Sequence, residues 1–273
     1  MKKLNYKLIV SDFDGTLIND NNEITETVKR AVKEYVAVGG IFTVCTGRML
    51  RSIMPRVKEL GLSGLVAAYQ GTVIAEIDSG KILKSSGISC KQASEICKFL
   101  KSIQANINVY SNENLYTNIV NDDKYLNIYE QITGVDAVCV DDIEEFVLAN
   151  AKDCQKIACL VFPENRQELY EVLKNRFGAE FDVTCSANVL VEISPLGSTK
   201  GAAVEYIANR FGVDIAETIA VGDNLNDLSM IEKAGLGVAV GNAVEELKNA
   251  ADFVAVTNNE GAVAQIIEKF GLI

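Results

Sequence analysis

Apolar positions run through this chain in two rhythms, short continuous stretches and stripes of helical period. From the start they predict a strand at 6–11, a helix at 25–38, a strand at 41–45, a helix at 50–60 and a strand at 64–69. A hairpin follows across "TVIAEIDSGKILKS", turning at Asp78-Ser79-Gly80. The last third resumes the alternation, with a helix at 200–211, a strand at 217–221, a helix at 226–234, a strand at 236–240 and a closing helix at 260–270. Strands that are apolar throughout, separated by amphipathic helices, read as a parallel sheet covered on both faces. The expected fold class is therefore α/β with a doubly wound, Rossmann-like core.

Between these stretches the rhythm changes. A helix at 90–103 precedes the hairpin-like "INVYSNENLYTNIV". Then come "KIACLVF", the helix "ENRQELYEVLKNRF" and two strands through "FDVTCSANVLVEI". This predicts an α+β unit at 86–192 inserted into a frame built from 1–85 and 193–273. No Pro- or Gly-rich linker marks the joins. Within the insert, Asn112, Tyr116 and Asn118 read as surface-loop residues.

Three predicted strands end in polar groups that a core strand has no structural need for. "KLIVSDFDGTL" runs from Leu8-Ile9-Val10 into Asp12 and Asp14; "GIFTVCTGR" ends in Thr46-Gly47; "TIAVGDNLND" ends in Gly222-Asp223, followed by Asn224, Asn226 and Asp227. All strands of a parallel sheet point their carboxyl ends to one edge, where ligands bind at the switch in strand order. Residues about 200 positions apart thus share an expected site. Taken singly, each has a plain structural reading: Asp12 or Asp14 as a cap or turn residue, Thr46 as an N-cap, Lys200 as a solvated helix-end lysine. Their joint occurrence at strand tips and helix starts outweighs those readings.

Composition narrows the chemistry. Among 273 residues there is no histidine, which excludes Ser-His-Asp and Cys-His nucleophilic systems and histidine zinc sites. Acid–base work falls to carboxylates, lysine, tyrosine or cysteine. Asp12, Asp14 and Asp223 in one crevice would repel one another, and an all-oxygen set favours a hard divalent cation, Mg²⁺. Thr46 and Gly47, beside a helix start, offer a hydroxyl and an N–H to an anion, and Lys200 offers an ammonium to the same anion. The set describes a phosphoryl site. A net charge of −11 argues against a nucleic-acid partner. No run of eighteen apolar residues occurs, so no membrane span is expected. The seven cysteines include no C-x-x-C pair and read as reduced, mostly buried thiols, as suits a cytoplasmic protein.

With "DFDGTL", "CTGR", Lys200 and "GDNLNDLSMIEKAGLGVAVGNA" in sequence, the chain resembles the haloacid dehalogenase superfamily, and within it the Cof-type phosphatases with a large inserted cap. The ending "ADFVAVTNNEGAVAQIIEKF" is similar as well. The resemblance implies a Mg²⁺-dependent phosphatase acting on small phosphate esters, sugar phosphates above all, through an aspartyl-phosphate. It implies that Asp12 is the nucleophile and Asp14 the general acid and base. Mg²⁺ would be held by the Asp12 carboxylate, the Asp14 backbone carbonyl and the Asp223 carboxylate. Thr46, Gly47, Lys200 and Asn226 would hold the phosphoryl oxygens, with Asp227 supporting the metal from behind, and the insert would set specificity. Three departures stand out: Gln70-Gly71 where the family often has Asn-Gly, "AVGNA" for "AMGNA", and Glu260-Gly261 without the intervening Asp. Two rival readings are a sugar phosphomutase of the same superfamily and a phospho-Asp receiver module. The tight D-x-D-G-T and the large insert weigh against the receiver.

Overall fold

The structure is a computed structural model, and it describes residues 3–118, 127, 130, 134–150, 153–187 and 189–272. It divides into two compact units, Met1–Gly47 with Ile53–Leu83 and Thr199–Ile273, and Lys84–Ser198 with Arg48–Ser52.

The first unit is built on a five-stranded parallel sheet. Its strands are β1 (Leu8–Ser11), β2 (Ile41–Val44), β12 (Thr218–Gly222), β13 (Leu236–Ala239) and β14 (Phe253–Val254), in the order β14-β13-β12-β1-β2. The strand order reverses between β1 and β12, which lie side by side with Ser11 opposite Val221. Every residue of β1 and of β12 is buried, as expected of strands covered on both faces. Helix α1 (Glu26–Ala37) shows how the frame is assembled locally. The Thr25 hydroxyl accepts the Val28 N–H as an N-cap, and Val28, Ala31, Val32 and Tyr35 fall on one buried stripe at helical spacing.

Strand β3 (Leu65–Ala68) departs from the expected continuous frame. It pairs antiparallel with β4 (Val73–Glu76) in a separate three-stranded sheet with β5 (Ile82–Ser85), and it meets the parallel sheet through an isolated Cys45–Ala67 bridge and a hydrogen bond from the Thr43 hydroxyl to Leu65 O. The turn joining β3 to β4 is Tyr69-Gln70-Gly71, with all three residues at positive φ. The closing helix is also shorter than the pattern suggests. Its α-helical part is Ala262–Ile266, and the next turn, Ile267–Gly271, widens to π-helix.

The second unit carries a six-stranded sheet in the order β10-β11-β9-β6-β7-β8. These strands are β6 (Asn106–Ser111), β7 (Asn114–Thr117), β8 (Ala137–Cys139), β9 (Cys154–Leu160), β10 (Phe181–Ala187) and β11 (Leu190–Pro195). Only β7 and β8 run parallel. Ile107, Val109, Ile157, Cys159, Val183, Val191 and Ile193 face one side. There they form a core with residues of α3 (Cys90–Ser102), α4 (Ile143–Asn150) and α5 (Arg166–Phe177). Tyr116 is a strand residue rather than a loop one, its ring 4.6 Å from that of Phe146, and the Asn118 carboxamide accepts the Ile107 N–H. Asn112 does lie at the β6–β7 turn, at φ 53°.

One buried ion pair lies in this sheet. Lys156 Nζ is 2.6 Å from Glu192 Oε1, with side chains 5% and 1% exposed, and it sits 4.5 Å from the centre of the Tyr110 ring. Burial works against the ammonium, but the charges of Glu192 and Tyr110 more than offset it, so Lys156 is held above its ordinary pKa. Removing one partner strands a buried charge. Glu192→Gln is expected to cost ~3 kcal/mol, read as a lowered urea midpoint, and the matched apolar pair Lys156→Met with Glu192→Leu to recover most of it.

Candidate active site

Asp12 stands one residue beyond β1, its N–H donating to Val221 O at 2.8 Å, so the backbone extends the parallel ladder to the sheet edge. The residue is only 5% exposed. Asp223 follows β12 directly, at the same edge and on the neighbouring strand. The reversal of strand order therefore delivers two carboxylates, 211 positions apart in sequence, to one crevice.

The turn after Asp12 fits around Asp223. Gly15 has φ 70°, and a Cβ there would lie 2.6 Å from Asp223 Oδ2, so both the backbone conformation and the space require glycine. Thr16 Oγ1 donates to Asp223 Oδ1 at 2.8 Å, and Asn242 Nδ2 donates to Gly15 O at 2.8 Å. Both residues shape the site without appearing among the sequence candidates. Thr16 lies inside "DFDGTL" and Asn242 inside "AVGNA", both stretches that carry the resemblance; what the sequence does not show is that Asn242 reaches Gly15, 227 positions away.

Lys200 opens α6 (Lys200–Phe211), whose N-cap is Thr199, its hydroxyl accepting the Ala202 N–H. The plain reading of a solvated helix-end lysine does not hold: the residue is 0% exposed. Its ammonium lies 2.7 Å from Asp12 Oδ1 and 2.6 Å from Asp227 Oδ1. The other Asp227 oxygen accepts the N–H groups of Asp223 and Asn224 at 2.9 and 3.0 Å. Asp227 thus fixes the loop after β12 with one oxygen and Lys200 with the other. Gly222 is needed for this, since a Cβ there would come within 2.4 Å of Asp227 Cβ.

Asp12, Asp223 and Asp227 each place a carboxylate oxygen within 4.8 Å of the others. Asp14 stands apart from this trio: its carboxylate is not among those oxygens and its side chain is exposed. The electrostatics show the strain of the cluster. Burial and then Asp227 push Asp12 well above the ordinary carboxylate range, with Lys200 opposing. Burial and Asp227 push Asp223 up to about 7. Burial alone would lower Lys200, yet Asp12 and Asp227 hold it above its ordinary value, so it remains a cation. The neighbouring Cys45 thiol is pushed up to about 12 by burial and stays protonated. One ammonium for three carboxylates leaves negative charge that a hard divalent cation can balance, and the all-oxygen donors match such an ion.

Thr46 is buried in the loop between β2 and α2 (Leu50–Glu59), its N–H donating to Ala67 O and its carbonyl accepting from Gln70 N–H, both at 2.9 Å. Gly47 follows it. Asn226 lies in the short 3₁₀ turn Leu225–Asp227, its Nδ2 donating to Gln70 Oε1 at 3.1 Å.

A model of haloacid dehalogenase-like hydrolases matches residues 9–267. Phosphatase YwpJ of Bacillus subtilis is 30% identical over 285 aligned positions, covering 96% of this chain and 99% of the relative. The 5-amino-6-(5-phospho-D-ribitylamino)uracil phosphatase YwtE of the same organism is 29% identical, covering 96% and 97%. The solved structure of TM0651 from Thermotoga maritima superposes with a TM-score of 0.81 at 31% identity, covering 97% of each chain. An acidic trio at the switch point of a doubly wound sheet, two of its carboxylates paired with a buried lysine, within a match spanning nearly the whole chain, makes this protein a member of the haloacid dehalogenase-like hydrolases and a phosphatase.

Proposed function

We propose that the enzyme is a Mg²⁺-dependent phosphatase of small phosphorylated metabolites, sugar phosphates or similar polyol phosphates, working through an aspartyl-phosphate. The observation that carries this reading is the Lys200 ammonium buried against Asp12. A carboxylate can approach a phosphate dianion only where positive charge is already in place. In the first step an Asp12 oxygen attacks phosphorus, the ester P–O bond breaks, and Asp14 gives its proton to the leaving oxygen. In the second, Asp14 takes a proton from water as that water attacks phosphorus, releasing inorganic phosphate and restoring Asp12. Exposure of Asp14 suits a group that exchanges protons with leaving group and solvent. Thr46, Gly47, Lys200 and Asn226 grip the phosphoryl oxygens. The Asp12 and Asp223 carboxylates and the Asp14 carbonyl would hold Mg²⁺, with Asp227 behind them; the ion supplies charge neutralisation when bound.

We assign the chemistry to the frame 1–85 and 193–273 and substrate choice to the insert 86–192. The name of the YwtE relative, a phosphatase of a phosphorylated ribityl compound, supports a small polyol phosphate as substrate class. The acidic balance of −11 speaks for small-molecule rather than nucleic-acid substrates. No helix of the described residues is long and apolar enough to cross a membrane, and we place the enzyme in the cytoplasm.

The test is release of inorganic phosphate from a panel of sugar, polyol and nucleotide phosphates. Multiple turnovers are expected with Mg²⁺, and loss of activity on chelation with recovery on adding Mg²⁺ back. Isomerised sugar phosphate without phosphate release would make the protein a mutase instead. Full activity in excess chelator would remove the metal from the reading.

A further inference from the structure

Tyr69, Gln70 and Gly71 have φ of 51°, 60° and 93°, so two consecutive non-glycine residues sit in the left-handed region. Each such residue is disfavoured, a long or bulky one more than glycine or asparagine. Strain of this kind persists where the surroundings over-determine it, and it gathers at functional sites. Here the surroundings are the site loops themselves. Gln70 is 4% exposed and its N–H donates to Thr46 O at 2.9 Å. Its carboxamide packs against Gly47, where a Cβ would come within 2.6 Å of Gln70 Nε2. The same carboxamide accepts Asn226 Nδ2 at 3.1 Å. Next to it, a Cβ on Gly71 would meet Thr199 O at 2.7 Å, at the start of the helix that carries Lys200.

The turn is thus wedged among the loop after β2, the loop after β12 and the N-terminus of α6. An ordinary tight turn would be satisfied by glycine or asparagine at this φ. What glutamine adds is reach, from a buried backbone position to the amide of Asn226. The reach fixes the Asn226 carboxamide with one N–H committed to Gln70, while its Oδ1 is buried without a hydrogen-bond partner. An amide carries two N–H groups, and the second of Asn226 is the donor that a phosphoryl oxygen, an acceptor, can take.

We propose that Gln70 is a positioning residue of the phosphate pocket, clamping Asn226 in the geometry that grips phosphoryl oxygens. This rests on the reading of Asn226 as a phosphate contact. The experiment compares Gln70→Gly, Asn226→Ala and the double variant in the Mg²⁺-loaded full-length enzyme. It measures kcat and KM for p-nitrophenyl phosphate, Ki for inorganic phosphate, and Tm. Glycine accepts the left-handed backbone, so Gln70→Gly removes the clamp while keeping the turn. KM and Ki are expected to rise about tenfold, the scale of one misplaced hydrogen bond to a charged group, with kcat within about threefold. The double variant should be no worse than Asn226→Ala, because the clamp acts only through its target. Unchanged KM and Ki in Gln70→Gly, with Tm alone lowered, would make Gln70 a packing residue and overturn the proposal. Multiplying effects in the double variant would overturn it too. If Asn226→Ala itself leaves KM and Ki unchanged, the assignment of Asn226 as a phosphate contact fails first and the clamp falls with it.

Discussion

Asp12→Asn is expected to abolish turnover, lowering kcat on the order of 10⁴-fold or more, as loss of a nucleophile does. The substitution is close to isosteric and leaves Lys200 its contact with Asp227, so the pocket keeps its shape. An amide cannot take up phosphorus to form the acyl phosphate, and no other carboxylate is placed to replace it: Asp227 is committed through both oxygens, and Asp223 to Thr16. Stability separates chemical loss from structural loss. In the metal-free protein the Asp12 carboxylate is disfavoured first by burial and then by the charge of Asp227, and together these outweigh the pull of Lys200. A neutral asparagine relieves both, so the variant in chelator should melt no lower than the parent. Adding Mg²⁺ should then raise the Tm of the parent, by the mass action of a ligand bound only to the folded state, and raise that of the variant far less. Phosphate release by Asp12→Asn at near-parental rate would exclude Asp12 as the nucleophile.

Legibility in the sequence followed how local each signal was. The tip of β1 could be read because an apolar run ending in Asp-x-Asp has no cheap structural explanation, and parallel-sheet geometry then linked it to Gly222-Asp223. The five-stranded order needed β14, which at two residues is too short for periodicity to reveal, and the helix before it, Glu245–Ala250, was missed for the same reason of length. The burial of Lys200 was hidden because its first turn looks like any capped helix start; only the tertiary approach of Asp12 and Asp227 removes it from water. Gln70 could be noticed as a departure from the family pattern, but not as a left-handed residue, since nothing in its chemistry favours that conformation. The Lys156–Glu192 pair was equally unreadable. The lysine stands third in β9, just ahead of its apolar run, and its partner follows 36 positions later through a register that only the assembled sheet defines.

Lys200→Met should damage both the fold and the chemistry, with the largest stability loss of any single change considered. The parent ammonium touches two carboxylates at 2.6 and 2.7 Å with no exposure to water. Methionine fills much of the same volume, so packing loss is small and the deficit is electrostatic. Asp12 and Asp227 are left buried, facing each other and Asp223 with no cation between them. Stripping the partner from one buried charge costs ~3–5 kcal/mol, and two are stripped here, so ~5 kcal/mol is the expected scale, or a fall in Tm on the order of 10–15 °C for a chain this long. Arginine should not restore it, because a planar fork cannot present one compact charge to both oxygens in so tight a space. Mg²⁺ supplies the discriminating measurement. Being a second source of positive charge for the same cluster, it should return more stability to Lys200→Met than it adds to the parent. Activity should remain depressed at least a hundredfold even when the ion is saturating, because the cation that neutralises the attacking carboxylate is gone. A Lys200→Met enzyme with parental Tm in chelator would show that the buried carboxylates do not depend on this ammonium. One with parental kcat would show that the approach of Asp12 to phosphate does not either.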